Sequence, residues 1–576
     1  MQPEIRYRVG MEGYRAHLFT VELSIAGWTA EHLVLQMPVW TPGSYLVREY
    51  SRHLQDFEAH DGEGRPLPWT KTAKHTWQVE AAPTVHVRYR IYAHELTVRT
   101  SHLDASHAYF NGACLFLFPE GAEALASTVT VVPPRPEWRV STALQPVAGE
   151  AFTYRAEHFD ALVDCPFEVG THRIIPFTVL GKSHTLAVWG KSNLDYNRYL
   201  SDLEGIILAE AKLFGGLPYE HYLFIVHFAD GYGGLEHRDS TTLLYPRFEL
   251  KPDEKYFKFV CLTAHEFFHL WNVKRIRPST LDRFDYGSEN YTRALWFVEG
   301  VTSYYDEIFP LRAGIYGAAQ YLKLLGEHIT RLQTTPGRLV QSLSEASFDT
   351  WIKQYRPGEN SPNSQVSYYL KGQLVACLLD LHIRLESGGV RSLDDVLRRL
   401  WEEYGSHDRA YPEDALETVA EQAAGCPLGA FFDRTLRSTD ELEYERYLAA
   451  FGLRLVAQHE ADAPPYLGVR TQDREGATVI QTVEALSPAQ QAGISPGDEL
   501  VAVGGWKVTH GSLKERLGVF APGDLVECTL FRRDELVQVM VPLEAPRPSR
   551  YRVEIDAEAP AEAHARLRAW LGPTVS

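Results

Sequence analysis

Up to about residue 170, apolar positions recur at every second place or in short runs. The stretches AHLFTVELSI, EHLVLQMPVW, TWQVEA, VHVRYRIYAHELTV and STVTVVPP are rich in β-branched and aromatic residues and are parted by Pro, Gly and Asp. A period of two predicts half-buried strands, and short strands at this spacing predict a β-sandwich over 1–170. From 171 the pattern lengthens. After the strands IIPFTVL and HTLAVWG, NLDYNRYLSDLEGIILAEAKLFGG is an amphipathic helix stopped by Gly215, Gly216 and Pro218. LFIVHFA and TTLLYP are strands, with GYGG the turn between them. DEKYFKFVCLTAHEFFHLWNVKR predicts one helix, with Asp253 as N-cap, basic residues in the last turn and Pro278 as the stop. Its apolar residues lie on most sides, as in a buried helix. Residues 310–456 are largely helical. A junction, ADAPPY (461–466), precedes a strand-rich piece. The expected class is multidomain α+β, divided at 1–170, 171–325, 326–460, 463–545 and a tail, 546–576.

Composition narrows the function classes. At 576 residues the chain exceeds what one core organises. Its 57 basic against 75 acidic residues give a net charge of −18, which argues against nucleic acid or an anionic membrane as partner. No run approaches the roughly twenty apolar residues of a spanning helix. The N-terminus, MQPEIRYRVGMEGYRAHLFTVELS, lacks the apolar core of a secretion signal. Cys114, Cys165, Cys261, Cys377, Cys426 and Cys528 show no paired spacing, so neither a disulfide scaffold nor a thiolate zinc site is expected. A reduced, cytoplasmic protein is the expectation.

Candidate chemistry begins at TAHEFFHLWNVKRIRP (263–278). On a helix, His265 and His269 share a face about 5–6 Å apart and can turn one nitrogen each toward a single ion. Glu266, rotated by about 100°, lies beside that ion without having to bind it, which suits a base. Chance occurrence, or histidines packed in a buried helix, compete with this reading. Catalytic zinc takes three protein ligands and keeps a fourth position open. Glu299, in the apolar stretch ALWFVEGVTSYYDEIF (294–309), is the candidate third ligand, because an unpaired carboxylate there is costly to bury. A buried pair with Arg or Lys is the competing explanation. Asp306, two turns on, can accept the second ring N–H of a ligating histidine; Glu307 and plain solvent exposure compete with that role.

HEFFHLWN followed by WFVEGVTSYY resembles the gluzincin metallopeptidases, in which a glutamate on a second helix completes the metal site. The 29 residues between His269 and Glu299 (270–298), together with HLWNVKRIRP, are similar to the glycyl aminopeptidase family, which also carries a PDZ domain. GYGGLEHRDS (231–240) resembles the Gly-x-Met-Glu-Asn loop of aminopeptidase N, with Leu235 for the methionine and His237 for the asparagine. The resemblance implies that Gly233 and Gly234 admit the substrate backbone and that Glu236 holds its α-ammonium group. SYYLKGQLVACLLD (367–380) is similar to the Tyr-x-Lys-Gly element, aligning Tyr369, Lys371 and Gly372, with Tyr369 as oxyanion donor and Tyr368 as the competing tyrosine. The family further implies a thermolysin-like catalytic domain with a helical extension, one Zn2+ per chain and zinc-activated water with Glu266 as general base. It also implies peptide substrates with a free N-terminus and a small first residue such as Gly or Ala.

YLGVRTQDREGATVIQTVEALSPAQQAGISPGDELVAVGGWKV resembles a PDZ domain, most specifically at 488–498. Leu467, Gly468 and Val469 correspond to its carboxylate-binding loop and KERLGVF (514–520) to the groove helix. Its partner is a C-terminal peptide or the chain itself. Two other functions remain open: an endopeptidase with the same zinc chemistry, for which GGLEH is a structural strand edge, and a non-catalytic PDZ-bearing scaffold. PVWTPGSYLVREYSRH (38–53) is either a packed sandwich corner or a functional loop. Arg48, His102, Asp104, His107 and Asn111 are expected in sandwich loops, either capping the cleft or, residue by residue the favoured reading, in ordinary surface roles.

Overall fold

A computed structural model describes residues 3–572. Two compact units emerge. The first comprises residues 3–292, Tyr305–Ile315 and Leu397–Leu416. Its N-terminal part is β-rich. A seven-stranded sheet includes Glu4–Gly13, Leu18–Ala26, Thr84–Tyr92 and Ser127–Val132, and a four-stranded sheet includes His32–Gln36 and Thr76–Glu80. Alternation places Tyr7, Val9, Val21, Leu23, Leu33 and Leu35 in one buried core. A third sheet joins His102–Leu103, His107–Phe110, Arg139–Ser141 and Phe167–Gly170. His102 and His107 therefore sit in strands, and His102, His107 and Asn111 are buried. The surface-loop expectation fails for these three, because apolar neighbours on both sides draw the segment inward.

A five-stranded sheet runs in the order Arg173–Val179, Lys182–Trp189, His221–Phe228, Ser240–Tyr245 and Gly233–Glu236. The three middle strands are parallel. A parallel neighbour needs a crossover, and the helix Tyr196–Phe214 supplies it. Asp195 caps that helix through Asn197 and Arg198, and Gly215, at φ 79°, ends it. GYGG is not merely a turn. Gly233 and Gly234 belong to an antiparallel edge strand paired with Ser240–Tyr245; with no side chains to place, the two glycines carry no strand signal in the sequence.

The HExxH helix spans Asp253–Phe268. Pro252, not Asp253, occupies the N-cap position, and no side chain caps it. The Asp253 carboxylate instead pairs with Arg198 at 2.8 Å. The helix also stops earlier than its sequence suggests, with His269 at the C-cap. Residues 270–275 continue as turns pinned by buried Arg275, which donates to the carbonyls of Leu270, Arg238 and Pro218 and pairs with Asp239. Both histidines thus sit at a fixed helix end.

The second unit comprises Arg293–Tyr304, Tyr316–Val396 and residues 417–572. Its first piece is a π-helical turn, Trp296–Val301, that runs into the α-helix Thr302–Arg312. Such turns are rare and gather at functional sites. The helix Tyr368–Glu386, capped by Ser367, crosses it backbone to backbone. A Cβ on Gly300 would lie 2.5 Å from the Gly372 Cα, so both glycines are needed for that approach. Further along, strands Val469–Arg474, Ala477–Val483, Glu499–Val503, Leu525–Arg532 and Glu535–Pro542 form the PDZ-type sheet around Ile480, Leu500, Val526 and Leu530. Asn363 clasps this sheet to the helical region, donating to the Val483 carbonyl and accepting from the Ala485 N–H, both at 2.8 Å. Past the sheet, Arg550–Ile555 pairs with Leu453–Gln458, and Trp570 Nε1 donates to Tyr304 Oη at 3.0 Å. Among the described residues no disulfide forms, and no helix is long and apolar enough to cross a membrane.

Candidate active site

His265 and His269 stand at the end of the HExxH helix with their Nδ1 atoms engaged. His269 Nδ1 lies 2.6 Å from the Asn272 carbonyl oxygen, and His265 Nδ1 lies 2.8 Å from Asp306 Oδ2. A carbonyl only accepts, so His269 carries its proton on Nδ1 and its Nε2 is the unprotonated nitrogen. The Asp306 carboxylate fixes His265 in the same way. Two imidazoles oriented like this form a ligand pair ready for a cation. Glu299 lies on the π-helical turn of the helical stretch that carries Asp306 seven residues later. Glu299 is itself buried, in the second unit. Two neutral nitrogens and one carboxylate are the donor set that zinc takes in hydrolytic sites, so the residues present fit the metal that the sequence implies.

Glu266 is 5% exposed. The edge strand passes so close that a Cβ on Gly234 would overlap the Glu266 carboxylate. Glycine here is a steric requirement of the site. Gly234→Ala is therefore expected to cut kcat about 100-fold or more by displacing the base, while metal content stays unchanged. Steady-state kinetics with metal analysis checks this; unchanged kcat would refute the packing argument.

Glu236 follows two residues later, also buried, and its carboxylate shares a 4.8 Å cluster with Glu266 and His269. Glu236 is therefore not a surface group. His237 is buried too, its Nδ1 3.3 Å from Asp164 Oδ1. Asp164 also accepts from the Arg238 N–H and from Lys274 Nζ at 2.7 Å. Burial depresses the Lys274 ammonium pKa, but Asp164 and then Glu236 outweigh it and raise the value, keeping a cation beside Glu236. A groove of about 1090 Å³ reaches Glu236, walled by Trp40, Tyr45, Lys274, Arg277 and Tyr286.

Tyr369 is half-buried, with its hydroxyl 3.2 Å from that of Tyr355. Burial, and then the nearby Glu299 carboxylate, push its pKa well above the ordinary phenol value, so it stays a proton donor. Tyr368, the competing tyrosine, is fully buried, and its hydroxyl accepts from Thr350 Oγ1 at 3.1 Å. Burial also pushes the Lys371 pKa down to about 8.

A second group of histidines and a carboxylate makes an instructive contrast. His107 Nδ1 and His227 Nε2 meet the two oxygens of Glu168 at 3.0 and 2.8 Å, all fully buried. Burial would raise the Glu168 pKa, yet the two imidazoles pull it down to about 2. The outer nitrogens, His107 Nε2 and His227 Nδ1, lack hydrogen-bond partners among the described residues. Both imidazoles lie within hydrogen-bond distance of the Glu168 carboxylate and so offset its buried charge. Glu210 is another residue that the sequence reading passes over. It is a fully buried carboxyl on the crossover helix whose pKa burial raises well above normal, with Asp306 adding to the rise. Its one available signal is an acidic residue at an apolar-face position of that helix.

Two histidines at one helix end with buried Glu266 beside them, and a second carboxylate on the edge strand, are the kind of side-chain group a metallopeptidase uses. The profile of the Peptidase M61 N-terminal domain matches residues 6–171, that of the M61 glycyl aminopeptidase matches 258–375, and that of a PDZ domain matches 465–543. The crystal structure of an aminopeptidase N family protein from Idiomarina loihiensis superposes with a TM-score of 0.92 and 33% identity, covering 99% of this chain and 100% of that one. The crystal structure of an M1 zinc metallopeptidase from Deinococcus radiodurans gives a TM-score of 0.47 and 13% identity, over 76% and 91% of the two chains. No curated protein matches. The chain belongs to the M61 glycyl aminopeptidase family and is a metallo-aminopeptidase.

Proposed function

We propose that this enzyme removes the N-terminal residue from peptides with a free amino group, using one zinc ion per chain held by His265, His269 and Glu299. When bound, such an ion supplies Lewis acidity, polarising the scissile carbonyl and acidifying water. Glu266 takes the proton of the attacking water on a carboxylate oxygen and delivers it to the leaving amine. Tyr369 donates its hydroxyl to the developing oxyanion. Asp306 holds the His265 tautomer. Gly233 and Gly234 leave room for the substrate backbone along the edge strand. The preference for a small first residue such as Gly or Ala draws on the family likeness. Leu467, Gly468 and Val469 open the PDZ edge strand, where an extended peptide can add; we assign this surface to a C-terminal peptide.

The carrying observation is the 4.8 Å cluster of Glu236, Glu266 and His269. In a peptide the α-nitrogen and the first carbonyl carbon are only about 2.5 Å apart across N–Cα–C. An ammonium held by Glu236 therefore brings only the first peptide bond to Glu266. Free aminoacyl chromogenic substrates should be cleaved and their N-acetylated forms spared, and a chelator should abolish the activity until zinc is restored. Glu236→Gln should lower kcat/KM for free substrates by about 10- to 100-fold, the loss of a hydrogen bond to a charged group. Equal cleavage of acetylated substrates would establish the endopeptidase instead.

A further inference from the structure

The segment 38–53 links the strand His32–Gln36 to the strand Leu54–Asp61 and passes Glu236 at Gly43. Within it, Thr41-Pro42-Gly43-Ser44 has the pattern of a type II turn: proline second, glycine third, and the Ser44 N–H donating to the Thr41 carbonyl at 3.0 Å. Gly43 has φ +84°, and a Cβ there would lie 2.6 Å from both carboxylate oxygens of Glu236 and 2.7 Å from Leu235 Cδ1. Glycine meets the backbone demand and the space demand together.

The turn cannot simply retreat. Thr41 Oγ1 donates to buried Asn111 Oδ1 at 3.3 Å, which also accepts the Ala113 N–H. The Val39 N–H donates to the Tyr286 carbonyl at 2.8 Å, and Trp40 Nε1 donates to the Asp285 carbonyl at 2.8 Å. From the same N-terminal region, Arg99 Nη2 donates to the Gly234 carbonyl at 3.2 Å, two residues before Glu236. The sandwich thus grips the glutamate-bearing strand at both ends.

We infer that the turn Thr41–Ser44 is part of the site that reads the substrate's amino terminus, with Gly43 a positioning residue that holds the Glu236 carboxylate in place. The inference rests on the role given to Glu236 above. A glutamate has three rotatable side-chain bonds, and a wall against its carboxylate removes the conformations that miss the ammonium group. The effect belongs in ground-state binding and should appear in KM more than in kcat.

The test compares Gly43→Ala with Gly64→Ala and Gly121→Ala in the full chain. Those two glycines have φ +81° and +79° but nothing within 4 Å of a Cβ, so they report backbone strain alone. Gly43→Ala should raise KM for a free aminoacyl substrate by about tenfold or more with kcat within about threefold, while the two controls keep the wild-type KM. An unchanged KM, or a rise shared by the controls, overturns the proposal. If Gly43→Ala folds poorly, the Tm of Gly43→Ala is compared with that of Gly43→Ala/Glu236→Ala. Recovery of Tm in the double variant locates the clash at the carboxylate; equal loss in both refutes it. Wild-type cleavage of N-acetylated substrates would remove the role of Glu236 without touching the Tm comparison, so the two failures are separable.

Discussion

Glu266→Gln is expected to retain its metal and to lose turnover by about 100- to 10,000-fold, the range that a positioned general base contributes. The substitution keeps size and hydrogen-bonding capacity but cannot take a proton. Glu266 touches the edge strand at Gly234, where a shape change would be felt, so an isosteric replacement is the right probe. The two histidines keep their orientation because Asp306 and the Asn272 carbonyl hold them independently of Glu266. Metal content per chain and single-turnover rates measured on one preparation decide the matter. Normal turnover with metal present would remove Glu266 from the mechanism. Loss of metal would show that it ligates.

The parts of this site that the sequence reveals are those with a local physical signature. His265 and His269 share a helix face, and Glu299 is a charge in an apolar stretch; each departs from what packing alone would produce. Gly215 ends the crossover helix for the same kind of local reason. What stays hidden depends on residues distant in sequence. Gly43 looks like an ordinary turn glycine until its Cα is found against Glu236, and Gly300 looks incidental until Gly372 crosses it. The HExxH helix looks longer in sequence than it is, because HLWNVKR has helical composition while Arg275 bonds carbonyls from three separate segments. His107 and His227 are 120 residues apart in sequence (227 − 107), and their shared carboxylate is legible in neither neighbourhood.

Tyr369→Phe is expected to lower kcat by about 100- to 1000-fold with little change in KM, the loss of one preorganised oxyanion donor. The helix crossing at Gly300 and Gly372 brings Tyr369 under the field of Glu299, and burial adds to that field in holding its proton. A phenol so protected donates a hydrogen bond throughout the neutral range and does not serve as a base. Phenylalanine keeps the ring stacked on Tyr368, whose centroid lies 4.6 Å away, and gives up the hydroxyl contact to Tyr355. That contact should contribute about 1 kcal/mol to folding, so the variant stays folded and its loss of rate is chemical. Tyr355→Phe removes the same contact from the other side and serves as the control. If Tyr355→Phe lowers kcat as far as Tyr369→Phe does, the effect lies in the tyrosine pair and not in donation to the oxyanion. If Tyr369→Phe raises KM and leaves kcat alone, the hydroxyl binds substrate in its ground state and the role assigned to it fails.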